Sequence, residues 1–332
     1  ICDLKKINLH IGNQQYLYNL KKFSKNKLKK SAFYKITKQK NQKRLNLFKQ
    51  FSTNKNLEKG SIIFTSPNIY RRKTLSEDCT TIENEFFIQP ILEAYKNHSP
   101  IICVDLDYTF RGETNILQRR LKSEFDWYPI EFFLSKKIDS QVIQQLKTLK
   151  INIEKLQKYD IDSIFTYNKI SLWIYLKDLF DEIFFYPNLP TYLQLIFDLE
   201  NSFKKIKPSI IIQVYETGPY AKAFEIVAKK LGIKTIGIQH GLFPSDTSDY
   251  MCKEIRSLDC IFGNIVPDYT FVFGDYYKKL LTEKGGYEKD SVISTGNLSL
   301  MNLDKIRKNY NRKDMLEQKQ IPRSEEHTSE LQ

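Results

Sequence analysis

The stretch from Ser209 to Ile238 constrains the fold most, because its pattern admits one layout. Ser209-Ile-Ile-Ile-Gln-Val-Tyr215 is a short apolar run suited to a strand covered on both faces. Glu216-Thr217-Gly218-Pro219 follows as a turn, with Thr217 or Gly218 at the N-cap and Pro219 near the first helical position. Ala221, Phe224, Val227, Ala228 and Leu231 then recur at helical spacing, and Gly232 stops the helix. Ile233-Lys-Thr-Ile-Gly-Ile238 is the next strand. A strand, a short helix and a second strand make a right-handed βαβ unit. In such sheets ligands bind beyond the carboxyl ends of the strands. Glu216 and Gln239-His240-Gly241 stand at two of those ends, so they can face one crevice.

The same alternation extends in both directions. Ser61-Ile-Ile-Phe-Thr65 and Pro100-Ile-Ile-Cys-Val-Asp-Leu106 read as strands, and Glu83 to Tyr95 reads as a helix between them. Asp139 to Lys207 reads as largely helical, including Ser171 to Phe185 and Thr191 to Lys205. Tyr269-Thr-Phe-Val-Phe273 is a strand ending at Gly274, and Asp275 caps a helix from Tyr276 to Glu283. Ser291-Val-Ile-Ser294 is a last strand, closed by Thr295-Gly296-Asn297. Strands alternating with helices of these lengths predict an α/β fold built on a Rossmann-like, doubly wound parallel sheet.

Charge is placed unevenly. Residues 1–55 carry 15 Lys and Arg against a single acid, Asp3, whereas the whole chain has net charge +13. Residues 1–58 therefore read as a basic leader, partly helical or disordered, with aromatic residues set among the lysines. Such a leader can sit as a peripheral anchor on an anionic membrane surface. Nucleic acid is a weaker partner, since no binding motif accompanies the charge. No apolar run approaches the ~18 residues of a membrane span. Cys2, Cys79, Cys103, Cys252 and Cys260 are scattered and form no CxxC pair, which points to a reducing cytoplasm and away from zinc. The last ten residues, Arg323 to Gln332, resemble the translation of a common short-read sequencing adapter and are set aside with His327 as an artefactual tail.

Three segments, ETGPYAKAFEIVAKKLGIKTIGIQHGLF, PDYTFVFGDYYKKLL and SVISTGN, together resemble the amino-terminal half of a GT-B glycosyltransferase of surface or capsular polysaccharide synthesis. Glu85-Phe-Phe-Ile-Gln-Pro90 through Trp127-Tyr-Pro-Ile-Glu131 resembles the upstream part of such proteins, so the likeness covers roughly residues 60–322. It implies a Rossmann-like domain over residues 59–298, a linker over 299–322, and a missing second domain that would hold the donor. It also implies a transferase moving a sugar from a nucleotide-sugar donor to a lipid-linked or growing surface glycan, without a bound cofactor or metal. This chain would be the acceptor-side half, inactive alone and placed in the cytoplasm or against the inner face of the membrane.

His240 is the leading candidate for catalysis. Its imidazole can remove a proton from an acceptor hydroxyl, and glycerophosphotransferases of similar fold carry Trp-His-Gly where this chain has Gln239-His240-Gly241. Glu216 is the second candidate, as base or as the group orienting His240, or else as a carboxylate favoured by a helix N-terminus. Thr217 and Gly218 can offer backbone N–H groups to a phosphate. Gly274, Gly296 and Asn297 end neighbouring strands and are expected, with Gln239 and Gly241, to line the substrate cleft. Asp105 and Asp107 form a short DxD that occurs readily by chance, and no metal is assigned to it. The competing enzyme readings are a non-hydrolysing nucleotide-sugar 2-epimerase, which shares the Thr-Gly-Asn turn, and a CDP-glycerol-type glycerophosphotransferase. The competing non-enzyme reading is a basic membrane- or RNA-binding protein, with binding concentrated in residues 1–55.

Overall fold

The computed structural model describes residues 39, 42–51, 57–76, 80–106, 114–135, 139–156, 158–177, 189–247, 249–251 and 265–301. Among the described residues eleven strands follow in chain order: β1 Ile62–Ser66, β2 Arg71–Leu75, β3 Thr81–Glu85, β4 Ile101–Asp105, β5 Trp127–Pro129, β6 Thr166–Tyr167, β7 Ile170–Ser171, β8 Ile210–Val214, β9 Lys234–Ile238, β10 Tyr269–Val272 and β11 Val292–Ser294. Seven of them form one sheet in the order β11-β10-β9-β8-β1-β4-β5, and every pairing in it is parallel. The expected Rossmann-like α/β architecture is therefore present.

Strand order locates the working end of the sheet. The chain builds outward from β1 through β4 to β5, then returns and lays β8 against the other edge of β1. From there it builds outward again through β9, β10 and β11. The direction of winding reverses between β1 and β8, and a crevice opens at the carboxyl ends of such a pair. The register sets Ile63 between Ile102 and Ile211, and Phe64 between Cys103 and Ile212. All five residues of β1 are buried, as expected of a central strand covered on both faces.

Helix Pro219–Leu231 forms as its sequence requires. Gly218 stands at the N-cap, Pro219 opens the first turn, and Gly232 ends the helix at φ 70°, donating its N–H to the carbonyls of Ala228 and Lys229. Its buried side, with Ala221, Phe224, Val227 and Ala228, packs beside helix Leu189–Ile206, where Phe203 meets Phe224 at 5.7 Å. A second, smaller core of Phe243, Tyr250, Val272, Leu281 and Val292 lies toward β10 and β11.

Several local expectations need correction. Glu83 to Glu85 are not helical but belong to the antiparallel hairpin β2–β3, which sets Arg71 opposite Glu85 and Lys73 opposite Glu83. Opposite charges facing across a strand pair stabilise it, and the following helix begins only at Gln89, with Pro90 in its first turn. Ser171 does not open a helix; it closes the hairpin β6–β7, whose turn residues Asn168 and Lys169 both have positive φ. Residues 173–177 are helical, and 178–185 lie outside the described residues. Asp275 is the first helical residue, after Gly274 at the N-cap, and its carboxylate accepts from the Ser294 hydroxyl at 2.6 Å.

Residues 42–51, inside the stretch read as a leader, form a helix that enters the main core. Phe48 packs against Tyr128 and Phe132 at 5.4 and 5.2 Å. Arg44 is fully buried and donates to Glu131 and Asp105, each at 2.8 Å. Burial works against the Glu131 carboxylate and lifts it to about 7 despite Arg44. The other Asp105 oxygen accepts from Arg120 at 2.8 Å, so both carboxylate oxygens of the DxD's first aspartate are held by arginines. Asp107, His10, Cys2, Cys79, Cys252, Cys260 and the expected linker beyond residue 301 lie outside the described residues. His98 is exposed and Cys103 is buried. Among the described residues no helix is long and apolar enough to cross a membrane.

Candidate functional site

Four chain segments meet at the carboxyl side of the sheet around the point where the winding reverses. After β1 a single 3-10 turn, Asn68–Tyr70, brings the Tyr70 ring down toward the neighbouring strands. After β8 the chain passes through Tyr215 at φ 65°. This left-handed conformation costs a residue with a Cβ about 1–2 kcal/mol, and its direct effect is on aim. It sends the Tyr215 ring edge-on against the His240 ring at 5.1 Å, and the Tyr215 carbonyl accepts from the Gly218 N–H at 3.0 Å. The Tyr70 ring lies 5.3 Å from His240 on another side. His240, just beyond β9, is thus seated between tyrosines from both sides of the switch point.

The protonation states follow from this seating. Burial lowers the His240 imidazolium to about 4, so the ring is neutral near pH 7. Its Nδ1 is enclosed and has no hydrogen-bond partner, which leaves Nε2 as the nitrogen able to meet a ligand. Glu216 lies behind, with no exposed surface, and burial raises its carboxyl to about 7. One oxygen accepts from the Tyr250 hydroxyl at 3.1 Å, and the other is enclosed without a partner. Tyr250 is itself stacked on Phe243 at 4.4 Å. Glu216 is therefore held by Tyr250 and makes no hydrogen bond to His240, contrary to the orienting role its position suggested.

Gly237 makes room for this carboxyl. A Cβ there would stand 2.9 Å from the Pro267 ring and 3.0 and 3.1 Å from Glu216 Cγ and Cδ. Gly237→Ala should destabilise the protein by about 1–3 kcal/mol through overpacking and displace Glu216; chemical denaturation of the variant checks this. The raised Glu216 carboxyl has a pH signature. The folded chain keeps that proton after the unfolded chain has released it, so the group's contribution is complete below its ordinary pKa of 4.5 and is lost as pH rises to about 7. Glu216→Gln has no proton to lose and should gain on the wild type by ~1.4 kcal/mol per pH unit in that window. Denaturation midpoints at pH 5 and pH 8 measure it, and parallel profiles would show that Glu216 is not buried neutral.

The remaining candidates divide. Gln239 is buried; its amide donates to the Gly241 carbonyl at 2.8 Å and accepts from the Phe273 N–H at 2.8 Å, which ties the His240 loop to the end of β10. Gly241 has open space where a side chain would stand, as does Gly274. Thr217 and Gly218 open helix Pro219–Leu231 beside the crevice; a Cβ on Gly218 would meet the Tyr215 ring at 2.6 Å. Gly296 and Asn297 end β11, two strands beyond β9 at the sheet edge, and are not brought to His240. There Gly296 turns at φ 80° and the Asn297 side chain accepts from the Ser299 N–H at 3.1 Å. Reading the sequence missed Tyr70, Tyr215 and Tyr250. The first two are aromatics just past a strand end, which is a usable signal, whereas nothing local marks Tyr250.

No family model matches the chain, and no curated protein does. Among solved structures it is similar to UDP-GlcNAc 2-epimerase from Neisseria meningitidis bound to UDP-GlcNAc, at 12% identity and TM-score 0.37 over 78% of this chain and 52% of that one. It is similar to the UDP-GlcNAc 2-epimerase of Methanocaldococcus jannaschii, at 15% identity and TM-score 0.36 over 78% and 52%. A third is the UDP-N-acetylglucosamine 2-epimerase of Rickettsia bellii, at 11% identity and TM-score 0.38 over 78% and 50%. The chain spans about half the length of these proteins. Likeness at this level is silent on chemistry.

Proposed function

We propose that the crevice at the β1–β8 switch point serves glycosyl transfer from a nucleotide-sugar donor to a hydroxyl of a lipid-linked or growing surface glycan, with His240 as general base. The observation that carries the reading is the placement of His240: a neutral imidazole at a strand's carboxyl end, with one nitrogen enclosed between tyrosines and the other left for a ligand. A neutral ring can accept the acceptor hydroxyl's proton as that oxygen attacks the anomeric carbon; the bond to the nucleotide diphosphate breaks and the diphosphate leaves with the electron pair. The burial that lowers the imidazolium to about 4 is offset when a diphosphate's negative charge arrives nearby, which raises the basicity of the ring toward the working range. Tyr215, 38% exposed, offers a hydroxyl group and a ring face suited to a sugar, and Gly241 leaves space for its approach. Glu216 acts from behind, as a buried carboxyl raised to about 7 and fixed by Tyr250, rather than as the base.

The experiment is to incubate the full-length parent protein with labelled nucleotide sugars, UDP-GlcNAc among them, and glycan acceptors extracted from membranes. Movement of label to the acceptor, with nucleotide diphosphate released in equal amount, is the expected result. Conversion of the donor into its C2 epimer without transfer would replace this reading with isomerisation. Vesicle or RNA binding with no chemistry on any donor would replace it with the binding-protein reading.

A further inference from the structure

The segment between β5 and β8 carries a second surface, remote in sequence from the crevice. In hairpin β6–β7, Tyr167 pairs with Ile170, and the Leu172 N–H continues the pairing to the Phe165 carbonyl at 2.8 Å. Side chains of directly opposed residues share a face, so Phe165, Tyr167, Ile170 and Leu172 lie on one side and Thr166 and Ser171 on the other. The apolar side is bare: Tyr167 is 70% exposed and Ile170 48%. Ile164 and Ile174, immediately flanking, are 66% and 68% exposed. Phe165 stacks on Trp173 at 5.4 Å and 20°, which stiffens the base of the hairpin. Asp160 and Asp162 are engaged locally, the first capping Ser163 at 3.2 Å and the second accepting from the Ser171 hydroxyl on the polar side.

Charge identifies what this surface fits. Residues 140–177 hold six lysines (Lys147, Lys150, Lys155, Lys158, Lys169, Lys177) against three acids, and no arginine. Lys169 stands at the hairpin tip, and Lys147 and Lys150 share the outward side of helix Ser140–Leu156 with Ile143 and Ile151, which are 44% and 51% exposed. Protein interfaces are depleted in lysine and enriched in arginine. Lys169 at an apolar tip instead suits an anionic bilayer, where its stem lies along the hydrocarbon and its ammonium group reaches the phosphates. Tyrosine, with an apolar ring and a polar end, is the residue expected at the headgroup level.

We infer that hairpin β6–β7 and its flanking residues dock on an anionic lipid surface, the hairpin tip entering the headgroup layer and the lysines of residues 140–177 lying over the lipid phosphates. The inference does not depend on the reaction assigned to the crevice. It also differs from docking through the basic leader, and the two predict different variants.

The test is co-sedimentation of the full chain with vesicles of phosphatidylcholine, alone or mixed with phosphatidylglycerol, at low and high salt. The wild type is expected to pellet with the mixed vesicles only, and less so at high salt. Tyr167→Ser/Ile170→Ser should weaken partitioning roughly tenfold or more, with an unchanged circular dichroism spectrum because both side chains face outward. Ile174→Glu, outside the hairpin pairing, should weaken it as well. Failure of the wild type to bind mixed vesicles would overturn the inference. Equal binding by both variants would also overturn it and assign docking to the leader. A concentration-dependent dimer abolished by these substitutions, with vesicles ignored, would replace the lipid with a second copy of the chain.

Discussion

Replacing Arg120 by methionine should destabilise the fold by roughly 3–5 kcal/mol, the loss expected when one member of a buried charge network is removed. Arg120 has no exposed surface and donates to both oxygens of Glu85 at 2.9 and 2.7 Å, and to Asp105 at 2.8 Å. It also reaches the Ser66 carbonyl and the Asn68 side chain, each at 3.1 Å, and its guanidinium lies 4.1 Å from the centre of the Trp127 ring. Burial opposes its charge, and Glu85 and Asp105 override that opposition and hold the guanidinium protonated. Methionine fills much of the space but leaves two carboxylates buried without their shared cation. Urea denaturation measures the loss. Arg120→Lys should recover only part of it, because an ammonium cannot make the paired contacts of the planar fork. Lys96→Ala, which breaks exposed pairs with Glu93 and Glu124, should produce no measurable change and serves as the control. If Arg120→Met behaved like the Lys96 control, the network would not be holding β1, β3 and β4 together.

In the full-length parent protein, His240→Ala should cost at least ~10²-fold in turnover while leaving the fold intact. The ring lies at a strand end and contributes little beyond its contacts with Tyr70 and Tyr215, so denaturation midpoints should move far less than turnover does. His240→Gln separates the two roles the ring can play, since an amide keeps a hydrogen bond to the substrate yet cannot take its proton. A base predicts that both variants fall together in kcat; a binding group predicts that glutamine recovers activity mainly through KM. Full turnover in a well-folded His240→Ala variant would remove this residue from the mechanism and with it the central support for transfer at this site.

Legibility in the sequence followed the kind of force involved. β8, helix Pro219–Leu231 and β9 were readable because each is specified locally, by apolar runs, by Pro219 and by Gly232 in the left-handed region. The hairpin β2–β3 was not, since Ile82-Glu-Asn-Glu85 offers little strand signal; its register rests on Arg71 and Lys73 opposite Glu85 and Glu83, and on Arg120 from a later helix. Arg44 was hidden for a related reason. Among the 15 basic residues of residues 1–55 nothing local distinguishes the one whose partners, Asp105 and Glu131, lie far along the chain. At the crevice, Glu216 and His240 were visible as polar residues at strand ends, whereas the bond from Tyr250 to Glu216 spans a loop that only tertiary packing closes.

The reversal of winding at β1 also sets a timetable for synthesis. β1, β4 and β5 and the arginine network are complete in the nascent chain once residue 131 has emerged, yet β1 stays bare along one side until β8 is made. The bond from the Ser209 hydroxyl to the Ser61 carbonyl, which marks that late closure, joins residues 148 positions apart. At ordinary ribosome speeds this interval is on the order of ten seconds. Throughout it β1, buried along its whole length in the finished fold, presents unpaired N–H and C=O groups, a template for a neighbouring nascent chain. Chaperone supply or slower initiation is therefore expected to raise the yield of this protein in a cell by shielding β1 while residues 132–209 are being made.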